Sequence, residues 1–216
     1  MLDVHAPHEP IHGWKEFLLH LFTITIGLLI ALGLEGMVEW QHHRHLVHEA
    51  EASLHNEIKS NSDAMKRALD SLHKNQENLK RDVSLLKQEM QAGKLPAHTG
   101  LDVGFHIQTF DGVAWKTAQA TGALAYMPYG DAHEYADIYN TQEELAASEA
   151  QAARDTIVSI APFMNISDND PDPTKEQAAV MIDKIQLQQA QLTLVDNFMQ
   201  SLDKAYQKYL AAHPEH

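Results

Sequence analysis

An uninterrupted apolar run close to the N-terminus is the strongest hydrophobic pattern in the chain. Residues 17–34 read FLLHLFTITIGLLIALGL, and His20 is the one ionisable side chain among them. A helix of this length is near the minimum that crosses the hydrocarbon core of a bilayer. Trp14 and Trp40 bracket the run, about 38 Å apart along a helix, as expected of an aromatic belt at the two membrane interfaces. The pattern therefore predicts a transmembrane helix over residues 17–38.

Two other interpretations of the apolar run are a buried helix of a soluble core and a cleaved signal peptide. A core helix is normally shorter or carries a polar stripe. A signal peptide needs a basic start and a small-x-small cleavage site. Here Lys15 is the one Lys or Arg before the run, and the sequence after it, at 34–37, is Leu-Glu-Gly-Met. We therefore expect an uncleaved membrane anchor.

One face of the predicted span carries small and polar residues spaced four apart. Its members are Thr23, Gly27, Ala31 and Glu35. Small side chains let a second helix approach closely, and a carboxylate within a membrane needs a partner or water. This face predicts helix packing in the membrane, with a second copy of the chain or with another membrane protein.

After the apolar run, the sequence has the periodicity of long helices. There is no Pro or Gly between Trp40 and Gln91, and apolar residues recur every seven positions. These residues are Ile58, Met65, Leu72, Leu79 and Leu86. Asn61, Asn75 and Gln76 interrupt this seam, so it indicates one long member of a helical bundle rather than a pure coiled coil.

The C-terminal segment has a more regular seam, in which steps of four and three residues alternate. The seam consists of Met181, Ile185, Gln188, Leu192, Val195, Met199, Leu202, Tyr206 and Tyr209. Asp172 followed by Pro173 predicts the start of this helix. Two shorter helical stretches precede it, at 111–127 with a break at Gly122, and at 131–160.

Together these segments predict an all-α protein. A single N-terminal transmembrane helix is followed by a bundle of about four helices, the first of which forms a long stalk. Strand signals are weak and confined to 103–110. The predicted domains are a polar, histidine-containing tail at 1–16, the membrane helix at 17–38 and an acidic helical bundle at 39–216.

The formal net charge of −14 narrows the choice of partners. It argues against nucleic acid as the main partner, because phosphate binding needs a basic surface. The chain has no cysteine, which excludes disulfides, thiolate metal sites and cysteine nucleophiles. The lipid bilayer and a protein partner, either another copy or a different membrane protein, are the partners that we expect.

Histidine is unusually frequent in this chain, with fifteen residues. Nine of them lie in or near the flanks of the predicted span: His5, His8, His12, His20, His42, His43, His45, His48 and His55. Helical spacing brings His45, His48 and His55 onto one broad face. With a nearby carboxylate of Glu49 or Glu51, they are weak candidates for binding a divalent metal. The alternatives are a solvated polar collar at the headgroup level and a collar that responds to pH.

The sequence contains few other patterns that suit a catalytic or cofactor site. Asp168, Asp170 and Asp172 alternate as in a calcium loop, but the glycine and glutamate that such a loop requires are missing. There is no nucleophile elbow, no phosphate-binding glycine loop and no dinucleotide fingerprint. We therefore predict neither an enzyme activity nor a bound cofactor.

Two other groups have both a structural and a functional interpretation. The acidic pairs Glu143-Glu144 and Glu49-Glu51 suit acid–base chemistry only if they are buried, and we expect a solvated surface. Trp115, Tyr135 and Tyr139 form either the wall of a ligand pocket between helices or, as we expect, part of the core.

Several short motifs carry a family resemblance. Residues 25–32 read TIGLLIAL and are followed by Trp40 and a long polar helix; Ala-Trp-Lys at 114–116, Thr-Gly-Ala-Leu at 121–124 and an aromatic-rich segment at 134–139 come later. This combination is similar to a family of bacterial single-pass membrane proteins, a domain of unknown function. The resemblance implies a small helical protein anchored in the bacterial inner membrane, with its N-terminus in the cytoplasm and its bundle outside.

These observations predict a structural or interaction protein of the cell envelope, in which a membrane anchor holds an acidic helical bundle. The alternative is a single-pass sensor, in which a ligand, metal ion or proton shifts the packing of the helices. Such a sensor would depend on a partner protein for its output.

Overall fold

The structure is a computed structural model that describes residues 13–92, 104, 107–160 and 174–214. Helices account for 91% of these residues, and none of them lies in a strand. The predicted all-α class is therefore confirmed, whereas the weak strand signal at 103–110 was wrong for the described residues of that segment, 104 and 107–110.

The described residues form four α-helices and one short 3-10 turn. In chain order they are α1 at Trp14–Ala92, α2 at Val113–Thr121, the 3-10 turn at Ala123–Ala125, α3 at Tyr129–Ile160 and α4 at Lys175–Ala212. The predicted long first helix and the four-helix count are confirmed.

The chain divides into two compact units, the first ending at Glu49 and the second beginning at Ala50. In its described part, the first unit is the N-terminal portion of α1. The second unit contains the remainder of α1 together with α2, α3 and α4. Each unit has its own distribution of apolar side chains.

The core of the second unit consists mainly of the two predicted seams. All five heptad residues of the first seam are buried, from Ile58 to Leu86. The C-terminal seam is buried from Ile185 to Tyr209, including the polar Gln188. Met181 is only half-buried, and Ala178 and Ile182 occupy the buried positions there instead. Burial of these apolar side chains supplies the main stabilisation of the unit.

Helices α3 and α4 pack against each other in antiparallel directions. The hydroxyls of Tyr135, near the start of α3, and Tyr209, near the end of α4, are 2.9 Å apart. At the other end of the pair, Gln191 donates from Nε2 to Asp155 at 2.7 Å. These two bonds fix the register of the pair, which forms one side of the core.

Helix α4 begins later than the Asp-Pro signal at 172–173 predicts. Thr174 is the N-cap residue: its side chain accepts a hydrogen bond from the backbone N–H of Gln177, and its own N–H donates to the Gln177 side chain at 2.7 Å. This reciprocal pair is a capping box, which satisfies two backbone N–H groups at the helix start. The predicted cap was therefore wrong in position, and residues 172–173 themselves lie outside the described residues.

Gly122 ends α2, as the sequence predicts. Its φ of +75° lies in the left-handed region, which glycine adopts without the steric cost that a Cβ brings. Its N–H bonds back to the carbonyls of Ala118 and Gln119, so the last turn of α2 is closed.

Candidate functional site

The N-terminal part of α1 has the composition and exposure of a membrane-spanning helix. It contains an 18-residue window with a mean hydropathy of 2.3, none of which is buried. Among the described residues, α1 is the one helix long and apolar enough to cross a bilayer. The core helix of a soluble protein can be equally long and apolar, but most of its side chains are buried. The exposed side chains of this window therefore favour a membrane span or a signal sequence over a core helix.

Both tryptophans of the predicted belt are on the surface of α1, with Trp14 73% and Trp40 58% exposed. The Trp14 ring stacks on Phe17 with a centroid separation of 6.5 Å. The guanidinium carbon of Arg44 lies 4.8 Å from the centroid of the Trp40 ring, within cation–π range. An indole with a neighbouring cation suits the level of the lipid headgroups.

The predicted packing face of the span is also exposed. Thr23, Gly27, Ala31 and Glu35 follow one another at four-residue intervals in α1. The Thr23 hydroxyl donates to the carbonyl of Leu19 at 2.9 Å, so its polar group is satisfied within the helix. A Cβ added at Gly27 would meet no described atom within 4 Å. The face is open to a second helix, and association through it stays a prediction.

The candidate metal ligands are divided between the two units. His45 and His48 belong to the first unit and His55 to the second. His45 Nε2 lies 3.2 Å from Glu49 Oε1, and both side chains are well exposed. The ring of His55 packs against Tyr209, with centroids 5.8 Å apart. In the described part of the chain, no three His, Cys, Asp or Glu side chains are grouped to hold a metal ion, so the metal hypothesis gains no support there.

Of the remaining weak candidates, the three aspartates of the 168–172 segment and the histidines of the N-terminal tail lie outside the described residues. Glu143 and Glu144 are exposed, as expected for a solvated surface. In the other acidic pair, Glu49 is exposed and Glu51 is half-buried. Neither pair has the burial that acid–base chemistry needs.

Buried amide side chains hold the segment that leads into α2. Asn61 donates from Nδ2 to the carbonyl of Asp111 at 2.7 Å and accepts from the Asp111 N–H at 2.9 Å. Gln142 Nε2 donates to the same carbonyl at 2.9 Å, and its Oε1 accepts from the Tyr206 hydroxyl at 2.8 Å. The network joins α1, α3 and α4 to this segment. Asn61, which interrupts the seam in the sequence, therefore has a structural role.

Glu57 caps α2 from a different helix. Its Oε2 accepts from the backbone N–H of Ala114 at 2.8 Å, and its Oε1 accepts from the Tyr139 hydroxyl at 2.7 Å. The N-cap residue of α2 is Gly112, which has no side chain to do this. A carboxylate suits the first turn of a helix, where unpaired N–H groups carry partial positive charge. Burial, and then the bond to Glu57, raise the pKa of Tyr139 above its usual range.

Trp115 has both of the roles that the sequence left open: it is part of the core, and it lines a pocket between helices. It is 8% exposed, and its ring stacks on Tyr139 at 5.1 Å with an interplanar angle of 4°. Both residues also line an open groove of about 210 Å³ between the segment before α2, α2 itself and α3. Tyr135, the third aromatic residue of the predicted group, bonds to Tyr209 instead and does not line this groove.

Glu149 is a buried carboxyl in the wall of the groove that the sequence prediction missed. It is 2% exposed, and its Oε1 accepts a long hydrogen bond of 3.4 Å from the Gln108 N–H. Burial raises its pKa to about 7, against a lowering effect of the Gln108 bond. The periodicity of α3 could have identified it, since Leu145, Glu149 and Ala152 follow at steps of four and three and are all buried.

Comparison with known proteins gives no relative. No protein family, no curated protein and no solved structure matches this chain. The resemblance to a bacterial membrane protein family therefore stays a prediction.

Proposed function

We propose that this protein is a membrane-anchored helical bundle with a structural or interaction role in the bacterial cell envelope. The exposed apolar part of α1 carries the proposal, because none of the residues in an 18-residue window of mean hydropathy 2.3 is buried. Apolar surface of this extent is unfavourable in water by roughly 25 cal/mol per Å². Hydrocarbon tails solvate the same surface without that cost.

The second unit supports an interaction role rather than a catalytic one. Its best-defined polar groups serve the fold: Asn61 and Gln142 hold the segment before α2, and Glu57 caps that helix. The partner that we propose is a second copy or another membrane protein, packed against the small-residue face of the span. We place the anchor in the inner membrane and the bundle on the extracytoplasmic side, as the family resemblance implies.

Extraction of native membranes tests the anchor. The full-length chain should stay with the membrane pellet after washing with alkaline carbonate, and mass spectrometry should find its N-terminus intact. A variant with Leu28→Lys and Leu29→Lys should be released, whereas Leu28→Ala with Leu29→Ala should be retained, because two charges in the span cost several kcal/mol, about 2.5–3.5 each. Release of the native protein by carbonate would contradict the proposal, as would loss of the first 34 or more residues.

The orientation is tested with cysteines, because the chain contains none of its own. Ser53→Cys and Ser201→Cys place single thiols at exposed positions of the bundle. An impermeant maleimide should label both in intact spheroplasts. Labelling only after lysis would place the bundle in the cytoplasm and overturn this part of the proposal.

A further inference from the structure

Glu149 has a buried oxygen that the fold does not use. Its Oε2 is buried and has no hydrogen-bond partner among the residues that the structure describes. Its Oε1 has only the long contact with the Gln108 N–H, at 3.4 Å. A buried carboxylate without a cation or several donors is costly, and buried polar groups almost always have partners. Binding of a hydrogen-bond donor to this carboxyl would therefore be favourable, and the described residues do not provide one.

Two spaces adjoin this carboxyl. One is the groove of about 210 Å³, whose wall includes Ile107, Phe110 and Trp115. The other is a small cavity of about 20 Å³ on the side of α1 and α4. Gln108 and Glu149 line both spaces, so the groove and the cavity border the same two residues.

Asn75, which lines the small cavity, provides a second unpartnered acceptor oxygen. Asn75 donates from Nδ2 to the carbonyl of Gly104 at 2.7 Å, which fixes the orientation of its amide. Its Oδ1 is buried and, within the described part of the chain, lacks a hydrogen-bond donor. The cavity is large enough for one water-sized group. Two acceptor oxygens, one of them on a carboxyl, favour an occupant that carries several N–H donors and a positive charge.

We propose that this site binds a small organic ammonium compound, with its –NH₃⁺ group between Glu149 and Asn75 and its apolar body in the groove beside Phe110 and Trp115. The groove has room for such a body, because a cavity of about 150 Å³ accommodates benzene. An anion is disfavoured by the carboxyls of Glu143 and Glu149, against the single cation, Lys116, among the described residues of the lining. The inference does not depend on whether α1 crosses a membrane.

Binding should depend on pH through the protonation of Glu149. Because its pKa is raised to about 7 in the free protein, an ammonium ligand has to compete with a proton, and affinity should rise as the pH increases from about 6 to about 8. Among the lining residues that the structure describes, the other charged groups of the groove are Lys116 of α2 and Glu143 of α3. The residues that α1 and α4 contribute to the small cavity, among them Asn75 and Met199, carry no charge.

Calorimetry with three matched probes tests the proposal on the full chain in lipid nanodiscs, with empty nanodiscs as the blank. The probes are 2-phenylethylammonium, the neutral 2-phenylethanol and the anionic 3-phenylpropionate, which share a ring and differ in charge. The ammonium probe should bind and the other two should bind at least about tenfold more weakly, as a charge-assisted hydrogen bond implies. Equal binding of all three, or no binding of the ammonium probe, would overturn the inference.

Three variants localise the binding. Glu149→Gln keeps the shape of the side chain but removes its charge, and should weaken the ammonium probe about tenfold or more and abolish the pH dependence. Glu144→Gln removes the same charge from an exposed position of α3 outside the groove, and should leave the affinity unchanged. Ala146→Phe fills the groove without touching the carboxyl and should block the probe. Native affinity in Glu149→Gln or in Ala146→Phe would contradict the site; thermal unfolding confirms that each variant is folded.

Discussion

The two units of this chain distribute polarity in opposite ways. In the first, Leu28, Leu29 and Ile30 in the middle of the apolar window are each about 60% exposed. In the second, charged and amide side chains such as Asp82, Gln142 and Glu149 are at most 8% exposed. The exposed apolar window suits a solvent without hydrogen-bonding groups, as the proposed anchor requires, whereas the second unit keeps several polar side chains in its interior. Substitutions with the same chemistry should have different effects in the two units.

The largest difference is expected for a leucine truncated to alanine. Leu192 is fully buried in α4, so Leu192→Ala should lower the free energy of unfolding of the bundle by about 2–5 kcal/mol. Leu28→Ala, its matched control in the exposed window, should leave this free energy unchanged. Chemical unfolding in detergent, followed by circular dichroism, measures both. Equal losses would mean that the exposed leucine contributes to a core after all.

The next effect is the pH dependence of stability that Glu149 confers. Its pKa is raised from 4.5 to about 7 by burial, so between these values the folded protein holds a proton that the unfolded chain releases. The contribution is therefore fully present below pH 4.5 and is lost as the pH rises to about 7, by up to about 3 kcal/mol. Unfolding of the native protein and of Glu149→Gln across this range measures the difference. A constant difference between the two would show that Glu149 does not titrate as expected.

A smaller loss is expected when a buried amide is removed. Asn61→Ala leaves the N–H and the carbonyl of Asp111 without their bonds to Asn61, and should cost about 1–3 kcal/mol. The N–H of Asp111 should also exchange with solvent faster. Asn56→Ala changes an exposed residue of the same helix and should stay within about 0.5 kcal/mol of the native protein. If the two variants proved equally stable, the network would contribute nothing to the fold.

The smallest effect on the bundle is expected from the span's packing face. Gly27→Leu with Ala31→Leu should leave the unfolding free energy of the second unit unchanged but reduce the oligomer size of the detergent-extracted protein, because bulky side chains keep a second helix away. Leu28→Ala with Leu32→Ala, on a different face, is the matched control. An unchanged oligomer size in the packing-face variant would exclude this face as the site of association.

Features that depend on the pattern of residues close together in the chain could be predicted from the sequence. The apolar run before Trp40 and the seams from Ile58 and from Met181 are periodic or continuous patterns, so α1 and α4 were predicted from them. The break at Gly122 was predicted for the same reason, because a local backbone conformation requires glycine there.

The groove of the candidate site could not be predicted in this way. The periodicity of α3 places Glu149 on the same face as the buried Leu145 and Ala152, but the groove beside it results from the packing of α3 against the segment at 107–112. That segment meets Asn61 of α1 and Gln142 of α3, which are distant in sequence. A groove formed by such contacts leaves no local pattern in the sequence.

The capping pair at Thr174 was missed for a different reason. The Asp-Pro dipeptide just before it is also a signal for the start of a helix, and the prediction followed that signal.

The cap that Glu57 provides for α2 has a consequence for the order of folding. With nine residues, α2 is shorter than an isolated helix that persists in water, which needs about 12–15 residues. Its first turn depends on a carboxylate that lies 57 positions earlier in the chain. We therefore expect α2 to form after α1 is in place, as a product of tertiary assembly rather than one of its starting points.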